Sequence, residues 1–164
     1  MKNLPIYTGE SSMDKIAQFI LCSKLIGFEI PKSQNLTCTW SLRMFFEDRT
    51  DVLCCSSDVS TSGSGGWQEY GYLKLNIVDE SELDSRDKFN FCALEPIVFS
   101  QVAKLVNEED DVSAECGLLL TTDDGKQVLI STAPAPGAVT VKAEFNSGEY
   151  DPEILLEDTI QRPI

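Results

Sequence analysis

Carboxylates are the side chains of this sequence that could do chemistry. They gather in three clusters: Asp79, Glu80, Glu82, Asp84 and Asp87; Glu108, Glu109, Asp110, Asp111 and Glu115; and Glu149, Asp151, Glu153, Glu157 and Asp158. The densest run is NEEDD at 107–111. Grouped carboxylates can bind a metal ion, work as an acid–base pair or attract a basic partner.

Metal binding has little support among the other residues. The chain has no histidine and no C-x-x-C pair, and its Cys54 and Cys55 are adjacent, so in a strand they would point to opposite faces. An EF-hand loop needs a glycine at its sixth position, which both DESELDSRD and NEEDDVSAE lack. The GSGGW stretch at 63–67 lacks the lysine of a phosphate-binding loop. We therefore expect no metal and no other cofactor.

Catalysis is disfavoured for a related reason. Without histidine, neither the usual general base nor a Ser–His or Cys–His pair can form. Two carboxylates could still act as acid and base, as in glycoside hydrolysis, but 27 acidic residues produce suitable separations by chance. The sequence favours a protein that is not an enzyme, with a carboxylate-based hydrolase as one alternative.

The net charge indicates what kind of partner the chain would meet. Thirteen basic and 27 acidic residues give −14, and residues 51–164 alone carry −15. Such a field repels phosphate backbones and anionic lipids, so direct binding to nucleic acid or to a membrane is not expected. A basic protein would be attracted. Each acidic cluster could equally be a solvated loop that promotes solubility.

Aromatic residues that follow the GSGG loop favour binding surfaces, although each could instead pack within a sheet. Together with two of the acidic clusters they form our predicted partner-binding set: Trp67, Tyr70, Tyr72, Asp79, Glu80, Glu82, Asp84, Glu108, Glu109, Asp110 and Asp111.

A helix near the N-terminus and several strands must position these residues. Ser11 with Asp14 three residues later is a capping-box pattern, apolar residues of 13–25 share one face, and Gly27 predicts the end of the helix. Alternating residues predict strands at 36–46, 52–55, 67–78 and 138–145, with a flexible loop at 56–66.

The remaining segments complete the predicted fold. FNFCAL at 89–94 predicts a short strand, and a second helix is predicted from near Pro96, although its β-branched residues compete with helix formation. Asp124-Gly125 predicts a hairpin within 116–132, and Pro152 begins a predicted helical turn. The whole pattern predicts one α+β domain over 1–164, a mainly antiparallel β-sheet with one or two helices packed on one face.

The cysteines and the apolar segments bear on compartment. Residues 16–28 are too short and too often interrupted by polar side chains to be a membrane span or a clean signal core. A core of this size needs no disulfide, so the six cysteines are expected to be reduced thiols of a cytoplasmic protein.

A single acidic domain without catalytic groups resembles the immunity proteins of bacterial contact-dependent inhibition and polymorphic-toxin systems. The resemblance lies in size, charge and absent catalytic residues, and it involves no defined motif. It implies a cytoplasmic inhibitor that binds and neutralises a cognate basic toxin, above all a nuclease. A nucleic-acid mimic that inhibits a DNA-binding complex would share this acidity and is a further alternative.

Overall fold

Two β-sheets share one long strand in the computed structural model, which describes residues 2–61, 68–109 and 111–164. The elements are β1 Lys2–Leu4, α1 Met13–Leu21, β2 Lys24–Pro31, β3 Leu42–Phe46, β4 Asp51–Thr61, β5 Glu69–Asp79, β6 Phe89–Glu109, β7 Val112–Thr122, β8 Gln127–Thr132, β9 Val139–Lys142 and β10 Ile160–Pro163. The predicted α+β class with a mainly antiparallel sheet is confirmed, with one α-helix in the described part of the chain. The β1–β7 pair is parallel.

Strand β6 joins the two sheets. The first sheet has the order β5-β4-β3-β2-β6 and the second has the order β6-β7-β8-β9, with β1 added to β7 and β10 to β6. Strand β2 pairs with β6 as far as Val98, and β7 pairs with it from Phe99 onward. Between the partners of Gly27 and Leu25, β6 holds extra residues that form a bulge. Because a bulge bends a strand, β6 changes direction there, and after two more residues paired with β2 it enters the second sheet.

The predicted second helix is wrong, because 95–109 belong to β6. Its residues include Val98, Val102 and Val106, whose branched side chains lose rotamer freedom in a helix and fit a pleated sheet. The second part of β6 is paired on both sides, by β7 on one and by β10 on the other. The neighbouring strand β7 and the distant strand β10 together hydrogen-bond this backbone as a strand.

The first helix is confirmed, with different ends from those predicted. Ser12 caps it, since its hydroxyl accepts a hydrogen bond from the Lys15 N–H at 3.2 Å, and the helix ends at Leu21. Gly27 lies instead inside β2, where the ring of Phe91 occupies the space that a β-carbon would need. The buried face of α1 covers the core between the sheets through Ile16, Ala17, Phe19 and Ile20.

The strand predicted at 36–46 is confirmed only as β3, and the loop predicted at 56–66 is wrong for 56–61, which belong to β4. The rest of that loop lies outside the described residues. Before β3, the Gln34 side-chain oxygen accepts hydrogen bonds from the Thr39 hydroxyl (2.7 Å) and the Trp40 N–H (2.8 Å). These bonds hold the chain in a turn and leave Trp40 67% exposed.

The last third follows the prediction closely. Strands β7 and β8 form the predicted hairpin, and Gly125 adopts the positive φ of 86° that its turn requires. The strand predicted at 138–145 is β9, which is shorter. Instead of a helical turn at Pro152, a 3-10 turn forms at Leu156–Asp158 and β10 follows it.

Cysteine reactivity tests this arrangement. All six cysteines fall within the described residues and are free; Cys22, Cys38 and Cys92 are exposed, whereas Cys55 and Cys116 are buried. Burial raises the pKa of Cys116 to about 12 and moves the pKa of Cys55 upward as well, so neither forms a thiolate near neutral pH. We expect iodoacetamide to modify the three exposed thiols in the native protein and the two buried ones only in urea, as measured by peptide mass spectrometry. Rapid native modification of Cys116 would contradict the pairing of β7.

Candidate functional site

The residues predicted to bind a partner lie at opposite ends of β5. Tyr70 is near its start and Asp79 is its last residue, so about 30 Å separates them at the rise of a strand. Trp67 and Asp110 lie outside the described residues. The described members of the predicted set therefore fall into two separate groups.

At the start of β5, the predicted residues make contacts within the protein. Tyr70 is buried, and its hydroxyl donates a hydrogen bond to the Glu109 carboxylate at 2.8 Å. Glu108 forms an ion pair with Arg162 of β10. The backbone carbonyl of Asp111 accepts a hydrogen bond from the N–H of Lys2 in β1 at 2.8 Å. These contacts connect the β6–β7 hairpin to three other strands.

Tyr72 follows on the same strand and is half-buried. Burial raises the pKa of its phenol, and the nearby Asp58 carboxylate, which lies opposite it in β4, adds to the effect. Tyr72 therefore stays neutral at physiological pH.

Two acidic residues of the other clusters also have structural partners. One carboxylate oxygen of Glu115 accepts from the Ile6 N–H at 2.9 Å while the other pairs with Lys104 at 2.7 Å. Glu153 accepts hydrogen bonds from the Gly71 N–H at 3.2 Å and from the Thr132 hydroxyl at 2.8 Å. The pattern of charges in the sequence does not distinguish these structural carboxylates from those that a partner could contact.

At the other end of β5, two acidic turns come together. The β3–β4 turn at 47–51 lies beside the segment 79–88, because Asp51 is paired opposite Asp79 and the Glu80 N–H donates to the Thr50 carbonyl at 2.8 Å. The two segments carry eight acidic and three basic residues. We call 47–51 with 79–88 the acidic end.

The predicted set contained only half of this acidic end. Asp79, Glu80, Glu82 and Asp84 belong to it, whereas Glu47, Asp48 and Asp51 were not predicted as site residues. The sequence did indicate where these three residues lie, because EDRTD at 47–51 is typical of a turn before a strand. Antiparallel pairing of β4 with β5 places the start of the first strand beside the end of the second.

Local hydrogen bonds hold the second acidic turn in shape. Asp79 caps the 3-10 turn at Glu80–Glu82 by accepting from both the N–H (2.9 Å) and the hydroxyl (2.6 Å) of Ser81. These bonds lower the pKa of the Asp79 carboxyl, so it stays charged at neutral pH. Glu82 is exposed beside it.

A buried ion pair fastens the segment 79–88 to the sheet. Arg43 and Glu29 are both nearly inaccessible, and Arg43 Nη1 lies 2.9 Å from Glu29 Oε1. The other nitrogen of Arg43 donates to the Asp84 carbonyl at 2.8 Å, and its guanidinium lies 3.7 Å above the ring of Phe89. Arg86 reaches the second oxygen of Glu29 at 3.2 Å. Arg43 and Arg86 therefore both pair with the buried carboxylate of Glu29, and these contacts hold the segment 79–88 against the sheet.

The chemistry open to the acidic end is electrostatic. Among the described residues, no group of three or more His, Cys, Asp or Glu side chains is arranged to hold a metal ion. Glu47, Asp48 and Glu82 are exposed and make no ion pair within the described ranges. This arrangement can attract cationic groups over a distance.

Comparisons with protein-family models, with curated proteins and with solved structures found no match to this chain. Within the described residues, no helix has both the length and the apolar character needed to cross a membrane.

Replacing Arg43 by alanine should reduce the free energy of unfolding far more than replacing Arg86. Arg43→Ala leaves the buried Glu29 charge without its closest partner, and we expect a loss of about 3–5 kcal/mol in the free energy of unfolding. Arg86→Ala, the matched control at a partly exposed arginine, should cost about 1 kcal/mol or less. Urea unfolding followed by circular dichroism measures both. Equal losses would contradict the central role of Arg43.

The paired aspartates should reduce stability. Because like charges directly opposite in a sheet repel, Asp51→Asn should raise the free energy of unfolding by about 0.2–1 kcal/mol at low salt, with a smaller gain at high salt. Asp58→Asn, on the same strand but opposite Tyr72, is the control and should lack this salt-dependent gain. Thermal unfolding at two salt concentrations gives the comparison. A loss of stability in Asp51→Asn would show that the pair is not repulsive.

Proposed function

We propose that this chain is a cytoplasmic inhibitor of the immunity-protein kind that binds and neutralises a basic toxin, a nuclease, through its acidic end. It acts by binding and not by catalysis, and it binds neither nucleic acid nor membrane directly. The observation that carries the proposal is the pairing of Asp51 with Asp79. It places two acidic turns side by side, where their like charges are expected to repel, and a docking surface would account for keeping them there.

The support beneath the acidic end favours a docking role. The Arg43–Glu29 pair, the Asp84 carbonyl contact and the Asp79 cap hold the backbone of 79–84 in one conformation. A surface ordered before binding loses less conformational entropy when its partner arrives. Acidic residues that only increased solubility would not need a backbone held in one conformation.

An exposed apolar residue lies near the same surface. Leu21, at the end of α1, is 38% exposed, and two residues later the Ser23 hydroxyl donates to the Glu47 carbonyl at 2.6 Å. Carboxylates would guide a basic groove toward the acidic end, and Leu21 would be desolvated on contact. Charge complementarity mainly sets the rate of association, whereas a few desolvated side chains set the affinity.

The proposed mechanism is occlusion of a nucleic-acid groove. A nuclease needs basic side chains to hold phosphates, and carboxylates on two adjacent rigid turns can occupy those cationic positions. Attraction between the surfaces would raise the association rate above that of an uncharged pair by a factor between about 10 and 1,000 at low salt.

Charge reversal tests the acidic end directly. The immobilised chain is used to capture proteins from nuclease-treated lysate of its source cells at physiological salt, and a retained basic protein is purified and assayed for nuclease activity. We expect the wild-type chain to abolish that activity. Asp51→Lys/Glu82→Lys should associate at least about tenfold more slowly at low salt, as measured by surface plasmon resonance.

Asp58→Lys/Glu69→Lys is the matched control, because it changes the net charge equally on residues toward the other end of β4 and β5. It should associate nearly as fast as the wild type. Equal slowing in both variants would assign the effect to overall charge and would contradict a docking role for the acidic end. Capture of many unrelated DNA-binding proteins would favour the nucleic-acid mimic.

A further inference from the structure

Two sheet edges in the described chain are covered by other backbone segments. Tyr7 covers the edge of β5, donating to the Leu73 carbonyl (2.9 Å) and accepting from the Leu75 N–H (2.8 Å). Thr39 covers the edge of β9 by exchanging two hydrogen bonds with Val139, at 3.0 and 2.8 Å. The first part of β6 differs. Strand β2 pairs with one side of it, and β7 joins the opposite side only beyond the bulge.

Hydrogen bonds to β2 set the direction of the backbone along this part of β6. The Lys32 N–H donates to the Lys88 carbonyl at 3.0 Å, so Lys88 and every second residue after it face β2. The residues between them, Phe89, Phe91 and Ala93, turn their N–H and C=O groups outward. We call 89–93 the open edge.

Apolar side chains accompany these unpaired backbone groups. Phe91 is 52% exposed although its ring packs edge-on against Phe45, with centroids 5.4 Å apart. Cys92 and Ala93 are also exposed. Unpaired strands with exposed apolar residues are templates for another strand, and proteins usually block them with charge or proline. Here Pro96 ends the edge, and the residues of 89–94 are all uncharged.

We propose that the open edge is a self-association surface, on which a second copy of the chain adds its own β6 in antiparallel orientation across a two-fold axis at Phe91. The charge distribution selects this occupant. A chain of net charge −14 repels a second copy over most of its surface, whereas the uncharged stretch 89–94 of the open edge lets a second copy approach with less repulsion than the acidic segments do. A basic partner would meet no carboxylate in this stretch.

Hydrogen bonding selects the register. With Phe91 opposite Phe91 of the second copy, Phe89 lies opposite its Ala93, and all three outward-facing residues have outward-facing partners. Each such pair exchanges both of its N–H···O bonds. If the register shifts by two residues, at least one of Phe89, Phe91 and Ala93 lies opposite a residue outside the open edge. The two exposed Phe91 rings also become cross-strand neighbours, which favours this register further.

Sedimentation equilibrium of the whole chain, under reducing conditions and at moderate salt that screens the net charge, tests the proposal. We expect a reversible monomer–dimer equilibrium for the wild type. Ala93→Pro removes an outward N–H that the monomer does not use, and prolines are tolerated at such edge positions. The proline variant should raise the dissociation constant of the dimer at least about tenfold, because it loses one hydrogen bond and the proline ring keeps the two strands further apart. Ala93→Ser keeps the N–H and should associate like the wild type.

A crosslink tests the register independently of that substitution. In the proposed dimer, Asn90 lies opposite Cys92 of the second copy in a pair that is not hydrogen-bonded, at a separation that a disulfide can span. Asn90→Cys should therefore give a covalent dimer on oxidation, with a 90–92 link detected by mass spectrometry. Ser100→Cys, an exposed position beyond the bulge, should not.

Three results would overturn the proposal. The first is a wild-type chain that remains monomeric up to millimolar concentration. The second is a dimer unaffected by Ala93→Pro when circular dichroism shows the variant to be folded. The third is an Asn90→Cys chain that remains monomeric after oxidation. None of these depends on whether the acidic end binds a toxin.

Discussion

Hydrogen bonding along β6 is the interaction on which the other elements depend. Its first part closes the sheet formed by β2 to β5, and its second part begins the sheet that continues through β7 to β9. The bulge beside Gly27 lets one strand serve both, and the missing β-carbon of Gly27 makes room for Phe91. Because the sheets meet along this strand, the core between them contains side chains from both, with α1 packed against them.

The negative charge of the chain serves two different purposes. Glu29, Glu115 and Glu153 are structural, since each binds a basic side chain or a backbone N–H of the protein itself. Most carboxylates of the acidic end are exposed, and the pairing of Asp51 with Asp79 keeps the two acidic turns side by side. The physical difference lies in desolvation: a buried carboxylate is retained only where donors surround it, whereas an exposed one keeps its hydration and its long-range field.

Arg43 connects the two surfaces that we propose. Its guanidinium holds the Asp84 carbonyl of the acidic end, and it also lies over Phe89, the first residue of the open edge. One buried cation therefore stabilises both the acidic turn and the start of β6.

Local patterns in the sequence determined the amphipathic helix α1, the Asp124-Gly125 hairpin, the alternation along β5 and the strongly negative charge, because each depends on neighbouring residues alone. Tertiary structure decided the rest. Residues 95–109 became a strand because β7, the next strand in the chain, and the distant β10 pair with it on opposite sides. Tyr70 came to donate a hydrogen bond to Glu109, and Asp51 came to lie opposite Asp79, through contacts between segments far apart in the chain. A periodic pattern specifies which residues share a face, whereas only the pairing of strands specifies which carboxylates become neighbours and which stay exposed.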